Sequence, residues 1–323
     1  MSRRLIAEIG AAKGDLQYAL DCVDAFAAAG AWAIKGQLYT ADSLVRRGAA
    51  TYGKDLDEPA TQYEAFTKAL TYDQWGEVKT ACDKAGVKFF GSVFDYDAVD
   101  AGVEQGWEYF KIASADITYR GLLERVAATG KHVFLSTGGA TMEEIKRAAD
   151  LFDTGKLTVL ACTLSYPCKL ENADVARVTT LKRFYARVGY SDHTRGRIAA
   201  ECAYQYGATV VEKHATLTPG DGGDHDFAIT LDVVSALLAK PYITVIDARV
   251  EGWGRIGPKP SERSAILLAR RSPYATQDIV LGETIDETNT VMLRPATGVP
   301  PFDLPLIATS YIKKGSIITY QGG

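Results

Sequence analysis

The chain has 323 residues, of which 47% are hydrophobic and 24% are charged, and its formal net charge at pH 7 is −4. This composition is that of an ordinary globular protein and excludes a disordered or fibrous chain. The acidic balance and the absence of a basic run argue against a nucleic-acid partner.

The amino terminus and the cysteines indicate a cytoplasmic protein. Residues 1–4 lead straight into a strand-like run, which leaves no room for the apolar segment of a secretory signal. No apolar stretch is long enough to span a bilayer, so we expect no membrane partner. The five cysteines are odd in number and scattered along the chain, as in reduced intracellular proteins.

Short apolar runs recur along the first three quarters of the chain, at residues 5–10, 31–36, 87–93, 109–114, 132–137, 157–162, 186–192 and 209–214. Continuous hydrophobicity, rather than alternation, is expected of parallel strands that are buried on both faces. The segments between these runs have the spacing of amphipathic helices, and several end at a glycine. Residues 1–250 are therefore predicted to form a (β/α)8 TIM barrel, whose active site lies at the carboxyl ends of the strands.

The sequence changes character after the eighth run. Residues 231–250 are predicted to form a closing helix, and residues 251–265 concentrate glycine and proline, which is typical of a linker. Residues 266–323 contain short apolar runs and two similar phrases, at 278–285 and 311–318. This last part predicts a small β-rich domain with a limited core of its own.

Two histidines, His193 and His214, close the seventh and eighth predicted strands. Two neutral imidazoles at neighbouring strand ends can converge on one metal ion, although histidines in such places also serve only to satisfy backbone groups. Imidazole and water ligands predict a divalent ion, with Mn²⁺ as the first choice and Mg²⁺ or Co²⁺ as alternatives.

Ionisable and hydroxyl residues crowd the last positions of all eight predicted strands. They are Glu8, Lys35, Gln37, Ser92, Lys111, Ser114, Ser136, Thr137, Thr163, Tyr166, Ser191, His193, Glu212 and His214. Lys35 and Lys111 are the most informative, because each interrupts an apolar run where burial of an ammonium group is costly without an anionic partner. A single such lysine could instead extend its head group to water.

Several ordered motifs together carry a resemblance to a known family. They are Ala7-Glu8-Ile9-Gly10, Lys35-Gly36-Gln37, Lys111-Ile112-Ala113-Ser114, Leu135-Ser136-Thr137-Gly138, Tyr166-Pro167, Tyr190-Ser191-Asp192-His193 and Glu212-Lys213-His214. In these motifs and in their order, the chain resembles the sialic acid synthase (NeuB-like) family over nearly its whole length. Its tail, with residues 293–298 and 312–315, is similar to the antifreeze-like (SAF) domain of that family.

The resemblance implies a transferase that condenses phosphoenolpyruvate with the open-chain aldehyde of an amino sugar such as N-acetylmannosamine. The products would be phosphate and a 2-keto sugar acid of the nonulosonic type. The catalytic residues would be Glu8, Lys35, Lys111 and Glu212, with Glu8 the first choice for orienting water and either carboxylate alternatively supporting a histidine. An ion on His193 and His214 would act as a Lewis acid.

The resemblance also implies the binding residues for each substrate. Phosphoenolpyruvate would contact Lys35, Ser92, Lys111, Ser114, Ser136, Tyr166 and Ser191. The acceptor sugar would contact Gln37, Asp116, Tyr166, Asp224 and Arg294. Arg294 would come from the tail domain of a neighbouring subunit, which implies a domain-swapped homodimer.

Some residues depart from the family pattern, and these changes are expected to affect the choice of acceptor sugar more than the type of reaction. Ala11-Ala12-Lys13-Gly14 replaces an Asn-His-x-Gly phrase, and Asp116 stands where a glutamate is usual. We therefore predict that the acceptor differs from N-acetylmannosamine. Two other functions stay open: a Schiff-base aldolase with Lys111 as nucleophile, and a catalytically silent homologue that only binds a sugar acid or phosphate.

Overall fold

A computed structural model describes residues 3–51, 61–240 and 247–320. Its larger part is a closed barrel of eight parallel strands, hydrogen-bonded in chain order with the eighth strand beside the first. The strands are β1 Leu5–Glu8, β2 Ala33–Leu38, β3 Lys88–Val93, β4 Tyr109–Ile112, β5 His132–Ser136, β6 Leu157–Cys162, β7 Val188–Asp192 and β8 Val211–His214. The predicted (β/α)8 barrel is confirmed, with strand ends that differ from the prediction by at most two residues.

A helix follows each strand of the barrel along the chain. The helices are α1 Leu16–Ala28, α2 Ala41–Leu44, α3 Gln62–Phe66, α4 Tyr72–Ala85, α5 Tyr96–Glu104, α6 Arg120–Ala128, α7 Met142–Ala149, α8 Arg177–Leu181, α9 Ile198–Gln205, α10 Leu231–Leu238, α11 Ala248–Glu251 and α12 Arg263–Ala269. Helix α4 illustrates how neighbouring residues set the two ends of a helix. Thr71 and Gln74 form a capping box at its start, and Gly86 ends it at φ +71°. None of the helices in these ranges has the length and apolar character that crossing a bilayer requires.

Gly36 has a packing reason in the wall of the barrel. A Cβ atom on this residue would lie 2.5 Å from Cη2 of Trp75, whose side chain on α4 is fully buried. The large ring therefore occupies the space that a side chain at position 36 would need. This glycine, which follows Lys35, lets helix α4 pack closely against β2.

The predicted closing helix over residues 231–250 is wrong. Helix α10 ends at Leu238 and Ala239 already has an extended conformation, while α11 is a separate turn of helix. Pro241 provides a physical reason, because a proline disfavours helical geometry in the residue before it. Residues 241–246, which the prediction also covered, lie outside the described ranges.

The tail follows helix α12, which begins inside the predicted linker 251–265. It contains two antiparallel pairs, formed by β9 Ser272–Ala275 with β11 Thr290–Leu293 and by β10 Thr284–Ile285 with β12 Leu306–Ile307. The two similar phrases pair with each other, since Ile279 and Ile312 exchange backbone hydrogen bonds of 2.9 Å in both directions. The domain bounds themselves stay a prediction.

The tail docks on the carboxyl end of the barrel of the same chain. The backbone N–H of Arg294 donates to the Leu44 carbonyl at 3.1 Å, and the Arg294 carbonyl accepts from the Arg46 N–H at 3.1 Å. Through these bonds, the extended segment around Arg294 runs parallel to the loop after β2. The bonds bring Arg294 over the mouth of its own barrel.

Candidate active site

A cavity of about 750 Å³ opens at the carboxyl ends of the barrel strands. Of the fifteen residues to which the resemblance assigns a role, fourteen line it: Glu8, Lys35, Gln37, Ser92, Lys111, Ser114, Ser136, Tyr166, Ser191, His193, Glu212, His214, Asp224 and Arg294. The volume lies in the range of small-molecule sites and suits two small substrates together.

Strand alternation explains how β7 and β8 supply the site. Successive residues of a strand point to opposite faces, so Ser191 and Glu212, which are register partners, share the inner face. Asp192 and Lys213 are the next register partners, and they form a fully buried ion pair of 2.8 Å on the other face. This pair fixes the strand ends from which His193 and His214 enter the cavity.

Glu8 and Lys35 form a buried ion pair between β1 and β2, where they are register partners. The second oxygen of Glu8 accepts the backbone N–H of Gly10 at 2.8 Å, and Nζ of Lys35 also donates to Oγ of Ser92 at 2.7 Å. The three side chains are at most 3% exposed. The network orients the ammonium group into the cavity.

Glu212 lies between the two lysines. Its carboxylate oxygens are 3.8 Å from Nζ of Lys35 and 3.9 Å from Nζ of Lys111, and Oε1 accepts the Ser191 hydroxyl at 3.0 Å. Burial alone would raise the pKa of Glu212, but the ammonium groups of Lys111 and Lys35 and the Ser191 hydroxyl hold it below its usual range. Glu212 is therefore ionised at neutral pH.

Burial lowers the pKa of Lys35 to about 7, although the Glu212 carboxylate opposes this shift. A lysine in this state gains its full charge when an anionic ligand arrives. Ser136 adds a donor to the same cavity, because its buried hydroxyl has no hydrogen-bond partner among the residues that the structure describes. Both features are typical of a site built to receive an anion.

The two histidines lie side by side at the ends of the neighbouring strands β7 and β8, with ring centroids 5.6 Å apart. Nδ1 of His193 lies 2.9 Å from the Thr163 carbonyl oxygen, and Nδ1 of His214 lies 3.4 Å from Oδ2 of Asp224. Each ring can therefore donate from Nδ1 and keep the lone pair on Nε2. Burial lowers the pKa of both rings, and that of His214 falls well below its usual range.

These features fit the two-histidine part of a metal site. Both rings are neutral, and each Nδ1 faces an oxygen acceptor, which is the usual arrangement behind a metal-binding imidazole. Across the ranges that the structure describes, no group of three or more His, Cys, Asp or Glu side chains is placed to hold a metal. Water or substrate oxygens would have to complete the coordination.

The contact between Asp224 and His214 leads to a prediction about metal affinity. Asp224→Asn should weaken the binding of Mn²⁺ by about 10- to 100-fold, because the amide orients the imidazole less strongly than the carboxylate does. The measurement is a calorimetric titration without substrates. Asp226→Asn is the matched control on the same loop, since Asp226 also lines the cavity, and equal affinity of both variants would contradict the prediction.

Cys162 approaches the same histidine without forming a reactive pair. Its Sγ lies 3.8 Å from Nδ1 of His193, but burial raises the pKa of the thiol to about 11. The thiol is therefore protonated at neutral pH and does not act as a nucleophile.

Asp116 is assigned to the acceptor by the resemblance but does not line the cavity, and this assignment stays a prediction. Its side chain is fully buried, and Oδ1 accepts Nε of Arg271 at 2.7 Å. Arg271 also donates to the carbonyls of Phe94 and Ser43. A buried arginine from the tail therefore neutralises the carboxylate that the motif assigned to the sugar.

Within the single chain, Arg294 reaches the cavity from that chain's own tail. Its guanidinium lies 5.3 Å from the ring centre of Phe66 and 5.7 Å from that of Phe94. Stacking on two aromatic rings fixes the planar group at the cavity wall. The barrel of one chain thus has an Arg294 without exchange of tails, and the swapped homodimer stays a prediction.

Sequence reasoning missed several residues of the cavity and its supports. Lys169 and Arg195 are exposed cations at its rim, and Asn172 lies near them. The position of Arg195, two residues after the motif that ends in His193, is a signal that could have found it. Arg271 and Glu262 gave no such signal, because they act through contacts with distant segments.

Comparisons with known proteins agree with this site. A family model described as NeuB family matches residues 22–244. The chain is 32% identical to N,N'-diacetyllegionaminic acid synthase of Legionella pneumophila, over 95% of this chain and 89% of the relative. It is 30% identical to pseudaminic acid synthase of Campylobacter jejuni, over 92% of this chain and 88% of the relative.

A solved structure supports the same relationship. The N-acetylneuraminic acid synthetase of Leptospira borgpetersenii, solved with citrate, has 30% sequence identity and a TM-score of 0.66, over 82% of this chain and 90% of that chain. Its similarity therefore extends well beyond the barrel motifs. Because the family model covers more than half of its residues and relatives match it nearly end to end, the chain belongs to the NeuB family.

Proposed function

We propose that this protein condenses phosphoenolpyruvate with the open-chain form of an amino sugar, giving a nonulosonic-type sugar acid and phosphate. The observation that carries the proposal is the cluster of two buried lysines and two buried carboxylates beside two neutral histidines in one cavity. The names of the relatives, which are synthases of such acids, support it.

The charges of the cluster suit this reaction. When both lysines are protonated, Lys35 and Lys111 balance Glu8 and Glu212, so the four side chains carry no net charge together. Phosphoenolpyruvate brings a phosphate and a carboxylate, and their burial requires further positive charge. The proposed divalent ion, with Mn²⁺ as first choice, would be held by His193 and His214 and would supply Lewis-acid stabilisation of an oxygen anion.

The side chains have separate tasks in the proposed reaction. Lys35 and Lys111 bind the phosphate and carboxylate oxygens as point charges, and the Ser136 hydroxyl donates a hydrogen bond to them. Carbon 3 of phosphoenolpyruvate forms a bond to the aldehyde carbon. Water then adds at carbon 2, and the bond between carbon 2 and the phosphate oxygen breaks. Glu8 is placed to orient that water and to take its proton, with Glu212 as the alternative.

The acceptor is proposed to contact Gln37, Tyr166 and Arg294, which all line the cavity. The ring of Tyr166 packs against that of His193 with centroids 4.2 Å apart, which places a flat surface beside the histidines. Arg294 and Gln37 can donate hydrogen bonds to carbonyl or hydroxyl oxygens of a sugar. The changed phrase at residues 11–14 motivates the proposal that this sugar differs from N-acetylmannosamine.

A phosphate-release assay tests the function. The purified protein is incubated with phosphoenolpyruvate, Mn²⁺, Mg²⁺ or Co²⁺, and a panel of N-acetylhexosamines, their phosphates and dideoxy-diamino sugars. We expect acceptor-dependent release of phosphate that stops when a chelator is added and returns with Mn²⁺. Release that needs no acceptor, or no release with any of them, would contradict the proposal.

Borohydride trapping distinguishes the proposed synthase from an aldolase. A Schiff base on Lys111 would be reduced to a stable covalent adduct in the presence of substrate, and mass spectrometry would detect it. The proposed reaction forms no bond to lysine, so we expect an unmodified chain.

The pKa of Lys35 predicts the pH dependence of substrate capture. With a pKa of about 7, the free enzyme loses this ammonium as the pH rises. We therefore expect kcat/KM for phosphoenolpyruvate to fall above about pH 7 and to approach a tenfold loss per pH unit. In Lys35→Arg this limb should disappear, because a guanidinium stays charged. A wild-type profile that rises between pH 7 and 9 would contradict the assignment.

A further inference from the structure

Glu262 is a fully buried carboxylate outside the cavity that holds two loops of the barrel together. It lies at the end of the short 3-10 turn Pro260–Glu262, just before α12. Its Oε1 accepts the backbone N–H groups of Gly139 and Leu164, both at 2.7 Å. Its Oε2 accepts the N–H of Lys259 at 2.7 Å.

The two loops carry residues of the proposed site. Gly139 follows Ser136 on the loop after β5, and Leu164 precedes Tyr166 on the loop after β6. The loops are in close contact, since a Cβ atom on Gly138 would lie 2.9 Å from the backbone N of Leu164. The position of one loop therefore depends on that of the other.

The same contact extends to the neighbouring strand end. The N–H of Gly138, next to Gly139, donates to Oγ of Ser114 at 2.9 Å. Thr163, next to Leu164, offers its carbonyl oxygen to Nδ1 of His193. A shift of the Glu262 carboxylate would thus move groups on four strand ends, although Glu262 itself touches neither substrate.

A carboxylate suits this place better than a neutral side chain. One ionised oxygen accepts two N–H groups at once while the other accepts a third, and such charge-assisted bonds are stronger than neutral ones. The buried amides would otherwise be left without partners, which is costly.

We propose that Glu262 is a positioning residue for phosphoenolpyruvate binding: it fixes the loops after β5 and β6 so that Ser136 and Tyr166 face the substrate. This inference rests on the proposed function. It also assigns a role to the segment between the barrel and the tail, because that segment supplies the carboxylate.

Two variants and two readouts test the proposal. In Glu262→Ala we expect KM for phosphoenolpyruvate to rise about tenfold or more, with a smaller change in kcat, because substrate must now order the loops. Hydrogen exchange at residues 137–141 and 163–166 should speed up by about tenfold or more as well. In Glu262→Gln the amide oxygen can still accept hydrogen bonds from both loops, so KM should return most of the way to the wild-type value. Glu143→Ala, which removes an exposed carboxylate from α7, is the control and should behave as the wild type.

The outcomes separate this inference from the proposed function. Wild-type phosphate release establishes the function, and unchanged KM and exchange in a folded Glu262→Ala would overturn the positioning role. If Glu262→Ala does not fold, Glu262→Asp decides, since its shorter carboxylate withdraws from the loops: faster exchange supports the role, and unchanged exchange overturns it. If the wild type releases no phosphate, the function fails, but the exchange comparison still tests the loop contact.

Discussion

Replacing Lys111 by methionine should lower kcat/KM for phosphoenolpyruvate by about 10²- to 10³-fold. Nζ of Lys111 lies 3.9 Å from Glu212 and donates to the Ile112 carbonyl at 2.9 Å, and the side chain is only 3% exposed. Methionine keeps the length of the side chain but removes the charge that would meet the substrate oxygens. It also leaves Glu212 with one cation fewer in a buried site. Steady-state kinetics with varied phosphoenolpyruvate measure the loss.

Two further variants give this prediction its controls. Lys88→Met removes an exposed lysine of β3 that pairs with Glu108 at 2.6 Å on the surface, and it should change kcat/KM less than about twofold. Lys111→Arg keeps a positive charge and should retain more activity than Lys111→Met. If arginine and methionine were equally damaging and a covalent adduct were trapped, Lys111 would be a nucleophile and not a binding charge.

The barrel and most of its site could be predicted from the sequence because each strand is a local signal. Lys35 illustrates this, since it interrupts an apolar run that must be buried on both faces, and such a lysine has few places to point other than a polar cavity. His193 and His214 follow the same rule through strand alternation. Once the strands close in chain order, residues at their carboxyl ends meet without further information.

Asp116 could not be placed in this way. Its position after β4 matches the site pattern, but the direction of its side chain depends on Arg271, which lies 155 residues later in the chain. Sequence spacing does not indicate which arginine of a tail will be buried, and most arginines are exposed. The docking of the tail, the role of Glu262 and the break before Pro241 are likewise contacts or interruptions that local periodicity does not encode.

Replacing Arg271 by leucine should lower the free energy of unfolding by about 3–5 kcal/mol. The guanidinium is 1% exposed and donates to Asp116 at 2.7 Å, to the Phe94 carbonyl at 2.6 Å and to the Met292 carbonyl at 3.1 Å. Its loss leaves a buried carboxylate without a counter-charge, and within the described part of the chain Oδ2 of Asp116 already lacks a hydrogen bond. Urea unfolding followed by circular dichroism measures the change.

The matched comparison is an ion pair of the same residue types whose arginine is exposed. Arg249 binds Asp247 at 2.6 Å with 64% of its side chain exposed, so Arg249→Leu should cost less than about 1 kcal/mol. If the two replacements lowered the free energy of unfolding equally, the burial of Arg271 would not contribute to stability. Because Arg271 ties the tail to the loops after β2, β3 and β4, its replacement should also loosen Arg294 at the cavity wall. We therefore expect the Arg271→Leu protein to have a higher KM for the acceptor than the Arg249→Leu protein has. Both values are measured at a temperature where both proteins are folded.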